Sequence, residues 1–170
     1  MATLKDITLY ALCKNTSLSR SEMAKIVYLV DYFHAKKYTK QYTAIKWFHD
    51  DYGPFVRDVE NSIANVDGVI VTEDKNLYGS RAKYYSYNKE CPEMPEELKS
   101  ILDHVIVIHK EHNYTSFIDY VYQTSPVKMT KKNRSIDIEK CVKAELDNSA
   151  DESFDETVRA YDDVMKALAQ

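Results

Sequence analysis

The 170-residue sequence predicts a single α+β domain, mostly helical, with a small antiparallel β-sheet made of a short strand plus a hairpin. Three observations carry this. Apolar residues recur at helical spacing through most of the chain, and two segments open on capping-box signals. Two stretches rich in Val, Ile and Tyr flank a polar turn containing Gly79. The composition, 44% hydrophobic and 29% charged with only three glycines, is that of a globular, helix-leaning protein. A chain of this length buries roughly 70% of its unfolded surface.

In order along the chain, Leu4, Ile7, Ala11 and Leu12 mark a short first helix. Ser19-Arg20-Ser21-Glu22 has the form of a capping box and predicts a second helix start at Ser19. From Ile26 to Phe33 that helix is apolar nearly all round, with Asp31 its one charge, as befits a central helix covered on most sides. Its end is expected near Tyr38, beside Lys36, Lys37 and Lys40. Thr43 to Phe48 reads as a short strand.

Tyr52-Gly53-Pro54-Phe55 then forms a tight joint, because a residue before proline is pushed out of helical geometry. Pro54 suits the first position of a helix, so a third helix is expected from Pro54 to Asn65, with Asp50 and Asp51 placed to cap it. Its stripe is Phe55, Val59, Ile63 and Val66. Val69–Thr72 and Lys83–Tyr87 form the hairpin. Pro92 and Pro95 precede a fourth helix carrying Leu98, Ile101, Leu102, Val105 and Ile108. A fifth runs from Thr115 to Thr124 and is stopped by Ser125-Pro126. A basic loop, a helix over Ile138–Leu146, an acidic linker from Asp147 to Glu152 and an amphipathic helix from Ser153 complete the chain. The N-terminal half thus has a winged-helix-like order.

Several function classes find little support. The net charge of -4 argues against a general nucleic-acid binder, and the one basic cluster, Lys128, Lys131, Lys132 and Arg134, reads as a solvated loop. Cys13, Cys91 and Cys141 lack metal-like spacing and suit reduced thiols in a cytoplasmic protein. No apolar run approaches the length of a membrane span. His104, His109 and His112 near Glu111 lack a recognised ligand spacing, and no metal or other cofactor is expected. No phosphate-binding loop, nucleophile elbow or His-Glu-x-x-His motif appears, so no catalytic residue is assigned and no enzyme is expected.

Lys25-Ile26-Val27-Tyr28-Leu29-Val30-Asp31-Tyr32-Phe33-His34, then Trp47, then Tyr52-Gly53-Pro54-Phe55-Val56, resembles the Panacea domain, the SocA-like antitoxin domain also called GepA-like in phage-associated proteins. Val105 to Pro126 resembles the C-terminal part of the same domain. The order and spacing of Lys-x-x-Tyr-x-x-Asp, Trp and Gly-Pro-Phe-Val carry the resemblance; Val127 departs from it, where an aromatic residue is frequent. It implies a domain over residues 1–146, with 147–170 as linker and appended helix. It also implies a non-enzymatic antitoxin that neutralises a co-encoded toxin by direct binding, or, in some relatives, an adaptor presenting a partner to a protease.

The chain's fourteen tyrosines suit a contact role, since tyrosine offers area at low entropy cost. Candidate partner-binding residues are Trp47, Phe48 and Phe55 together with Tyr78, Tyr84, Tyr85 and Tyr87 of the hairpin. Tyr28, Asp31, Tyr52, Gly53, Pro54 and Arg57 are read as structural. Asp31, among apolar neighbours, needs donors, from backbone N–H groups or from Arg57 near the joint. The runner-up function is a winged-helix-like DNA-binding regulator, opposed by Asp58 and Glu60 on the helix that would meet phosphate.

Overall fold

Two capping boxes set the first helices of the computed structural model, which describes residues 1–150. Thr3 and Asp6 cap α1 (Leu4–Cys13), and Ser19 and Glu22 cap α2 (Arg20–Tyr38), each pair bonding side chain to backbone in both directions. Every residue of α2 from Met23 to Tyr32 is buried, Lys25 and Asp31 included, so α2 is the axis of the core. Ile7 and Leu12 of α1 and Trp47 pack into the same cluster.

Between the first two helices lies β1 (Leu18–Ser19), which pairs with the second strand of a hairpin, β4 (Val69–Lys75) and β5 (Arg81–Tyr87), in the order β1-β5-β4. The hairpin falls where the sequence expects it. Its turn uses Gly79 at φ +78.

The Gly-Pro joint is a correction. It opens no helix. Phe48–Asp50 (β2) and Gly53–Phe55 (β3) form a second antiparallel hairpin, closed by the two-residue turn Asp51-Tyr52. Gly53 takes φ +92, a left-handed conformation that costs other residues about 1 kcal/mol or more, and Pro54 then holds the strand extended. Asp50 and Asp51 therefore cap nothing. The strand expected over 43–48 begins only at Phe48, because Thr43 and Trp47 are turned inward to a buried acceptor. The third helix is only α3 (Asp58–Ser62), starting four residues beyond the proline, with Val59 buried and Phe55 left outside it.

Three further helices, α4 (Glu96–Glu111), α5 (Tyr114–Tyr122) and α6 (Ser125–Met129), cover α2. Leu98, Ile101, Leu102, Val105 and Ile108 of α4 face the core as their spacing predicts. Ser125-Pro126 does end α5, yet it also starts α6, proline being at home in a first helical turn. A seventh helix, α7, spans residues 138–150, so the start of the expected acidic linker is helical. The amphipathic helix expected from Ser153 lies outside the described residues.

The cysteines need a second correction. Cys13 and Cys91 are joined as a disulfide, their Cα atoms 5.6 Å apart, and only Cys141 is free. No helix among the described residues is long and apolar enough to cross a membrane.

Candidate partner-binding surface

Three polar residues on one broad side of α2 organise its neighbours. Asp31 accepts from the Thr43 amide at 2.8 Å, the Thr43 hydroxyl at 2.6 Å and the Trp47 indole N–H at 2.8 Å. Burial pushes its carboxyl above the usual range, while these donors pull it back down. A backbone N–H is among the donors, as the sequence suggested; Arg57 is not, and its side chain is exposed at the foot of α3. Asp31 thus fixes the 43–47 loop, not the joint.

Tyr28 reaches the Thr124 hydroxyl at 2.7 Å and meets the Trp47 ring edge-on at 5.6 Å between centroids. Lys25 is wholly buried, and its Nζ donates to Ser21 Oγ at 3.0 Å. Desolvation lowers its pKa to about 8, against the nearby Asp50 and Glu22, which raise it. A Cβ on Gly53 would stand 3.7 Å from both the Lys25 side chain and the Tyr122 ring, so β3 lies directly on these groups.

The other edge of the β2–β3 hairpin is also covered. His49 N–H donates to the Arg134 carbonyl, and the Asn133 and Ile136 amides donate to the His49 and Trp47 carbonyls. Glu145 of α7 accepts from Lys36 at 2.8 Å and Ser125 at 2.6 Å. Burial raises the Glu145 carboxyl, but Lys36 and Ser125 outweigh it and hold it below its ordinary value.

The expected contact residues separate accordingly. Trp47 is buried on Asp31 and Tyr28, which removes it from any contact face. Phe48 and Phe55 are cross-strand partners, Phe48 exposed and Phe55 half-buried with the Arg20 guanidinium 5.4 Å from its ring centroid. Tyr85 is buried and its hydroxyl donates to Glu60, so it too leaves the surface. Tyr84 and Tyr87 are half-buried, Tyr87 against the core. Tyr78 is 76% exposed at the hairpin tip, and Tyr52 is exposed at the other hairpin's turn. Arg20 also approaches Glu60 at 3.6 Å, linking the Phe48–Phe55 pair to the base of β5.

What sequence reasoning missed is aliphatic. Ile70 is 45%, Val71 50% and Leu77 77% exposed. Every residue of β4 from Ile70 onward is exposed, and β4 is the free edge of its sheet. Its sequence, three β-branched residues running into Thr72, Glu73, Asp74 and Lys75, carried the signal: a strand ending in charges has no core beneath it.

The histidines occupy separate niches. His109 bonds Glu22 at 3.1 Å and packs on Phe117, His112 bonds the Ile108 carbonyl, and His104 packs on Phe33. Among the described residues no group of three His, Cys, Asp or Glu side chains could hold a metal. The basic residues Lys128, Lys131, Lys132 and Arg134 are exposed around the loop that follows α6.

A family model described as Antitoxin SocA-like, Panacea domain matches residues 23–128. The match takes in most of α2, both hairpins, α3, α4, α5 and most of α6. No curated protein and no solved structure matches the chain. The matched span is well over half of the sequence, so the chain belongs to the SocA-like Panacea antitoxin family.

Proposed function

We propose that this family member neutralises a toxin encoded beside it by binding that toxin directly in the cytoplasm, with the β4–β5 hairpin as the first contact. The observation that carries the hairpin assignment is the concentration of exposed apolar side chains there, Ile70, Val71, Leu77 and Tyr78. Apolar residues on an unpaired strand edge are what protein partners commonly cover. The Phe48–Phe55 pair, joined to the hairpin base through Arg20 and Glu60, extends the same contact. The action is stoichiometric contact, not catalysis.

A groove-reading role has weaker support. The helix preceding the hairpin, α3, has only five residues and carries Asp58 and Glu60. Phosphate would be repelled there.

The test is co-expression with the adjacent reading frame. The neighbour's product is expected to arrest growth alone and to be harmless with this chain, and to co-purify with it. A neighbour that is harmless alone, or equally toxic in the presence of this chain, would remove the reading.

A further inference from the structure

The β4–β5 hairpin has few attachments beyond its own ladder. β5 pairs with the two residues of β1, and Tyr85 bonds Glu60. Near its base, Asn88 N–H donates to the Gly68 carbonyl, and an exposed Lys89–Asp67 ion pair stands at 3.2 Å. The next fixed point is covalent. Cys91 follows β5 by four residues and is bonded to Cys13, the last residue of α1, across 78 positions of sequence.

Cys91 is half-buried and lines an open hollow with Tyr10, Lys14, Glu93, Met94 and Lys99, which gives a reductant a way to the disulfide. Lys14 and Lys99 stand at the hollow with Glu93, and Lys99 is paired to Asp103, so Lys14 is the cation left to favour an approaching thiolate. Cys141 stands apart, its buried thiol held protonated because burial raises its pKa.

We infer that the Cys13–Cys91 disulfide is a redox-sensitive lock on the β4–β5 hairpin, opened by a dithiol reductant. A reductant thiolate attacks Cys91 Sγ, the Cys13–Cys91 bond breaks, and Cys13 leaves as a thiolate that takes up a proton. The reductant's second thiol, as its thiolate, then displaces the mixed disulfide. Cys91 leaves and is protonated, and the reductant ends as its own disulfide. Two electrons pass to the protein, which finishes with two thiols.

Opening the bond frees the segment between β5 and α4 from its covalent tie to α1 and leaves the hairpin on its pairing with β1, the Tyr85–Glu60 bond and the packing of Tyr85 and Tyr87 at its base. The consequence for toxin binding rests on the contact surface proposed above. The lock itself does not.

Iodoacetamide labelling of the denatured, unreduced protein is expected to mark one cysteine, and three after dithiothreitol; three without reductant would overturn the lock. Hydrogen exchange on the native protein supplies the second arm. After reduction the amides of residues 69–87 are expected to exchange about tenfold faster while those of α2 hold, and the melting temperature to fall by about 10 °C. The Cys13→Ser/Cys91→Ser variant should behave like reduced protein with or without dithiothreitol, and if it does not fold, reduced wild-type protein answers the same question.

Unchanged exchange in the hairpin on reduction overturns the lock, whatever happens to binding. Faster exchange with unchanged capture of the adjacent reading frame's product upholds the lock and instead removes the hairpin as the contact surface.

Discussion

The β2–β3 and β4–β5 hairpins share a sheet type and a left-handed glycine, at Gly53 in one and Gly79 in the other, yet they differ in what surrounds them. β2–β3 lies against Lys25 and Tyr122 on one side and takes backbone bonds from residues 133–136 on the other. β4–β5 is longer, but β4 is exposed along nearly its whole length. Length does not decide which hairpin is embedded in the fold. Long-range partners do.

The largest expected effect is at the anchor beneath the embedded hairpin. Asp31→Ala strands the Trp47 indole N–H and the Thr43 amide inside the core and should lower unfolding free energy by about 3–5 kcal/mol in urea titration. Asp31→Asn is the finer probe. Whichever way its amide turns, one N–H faces another donor, and a loss of about 2 kcal/mol is expected. Stability unchanged in Asp31→Asn would mean that the carboxylate does not hold the 43–47 loop.

Lys25 tests the same neighbourhood by pH. Its folded pKa of about 8 lies below the ordinary lysine value of 10.5, so the folded state binds its proton less readily than the unfolded chain. Its penalty is fully present below pH 8 and is relieved as pH climbs toward the unfolded pKa. Wild-type protein should therefore gain about 2 kcal/mol between pH 8 and 9.5, and Lys25→Met should lose that slope. A parallel slope in the variant would show that the buried amine is not its source.

The glycine pair sharpens the contrast directly. Gly53→Ala and Gly79→Ala each force alanine to positive φ at a local cost of about 1–2 kcal/mol. In Gly53→Ala the cost should appear in global unfolding. In Gly79→Ala, where an added Cβ meets nothing within 4 Å, it should appear as faster hydrogen exchange confined to the hairpin. Equal global losses would erase the distinction.

Smallest in stability is the tip. Leu77→Ser with Tyr78→Ser should shift unfolding by no more than about 0.5 kcal/mol while weakening capture of the toxin at least tenfold. Intact capture would move the contact elsewhere.

Local signals in the sequence were legible where one element suffices to explain them. The Ser19–Glu22 box, the all-round apolar α2 and the Gly79 turn are each decided within a few residues, and each stands where expected. The Gly-Pro joint misled because proline suits a strand edge as well as a first helical turn, and only pairing with Phe48–Asp50 separates the two. Trp47 and Tyr85 looked like contact residues because aromatic character does not reveal which face is covered; Asp31 and Glu60 hold them inward from 16 and 25 positions away. Ile70, Val71 and Leu77 were passed over for the opposite reason, since aliphatic residues suggest a core that β4 does not have.

The bond between Tyr28 and Thr124 spans 96 positions, and the Lys36–Glu145 pair spans 109. At about 5–20 residues per second, a ribosome that has just placed Tyr28 needs roughly 5–20 s more to supply Thr124. Through that interval α2, the axis of the core, has neither α5 nor α7 to cover it. The cover of α2 is thus incomplete until Glu145 has been made, and the nascent form before that point leaves this helix exposed to proteases and to aggregation.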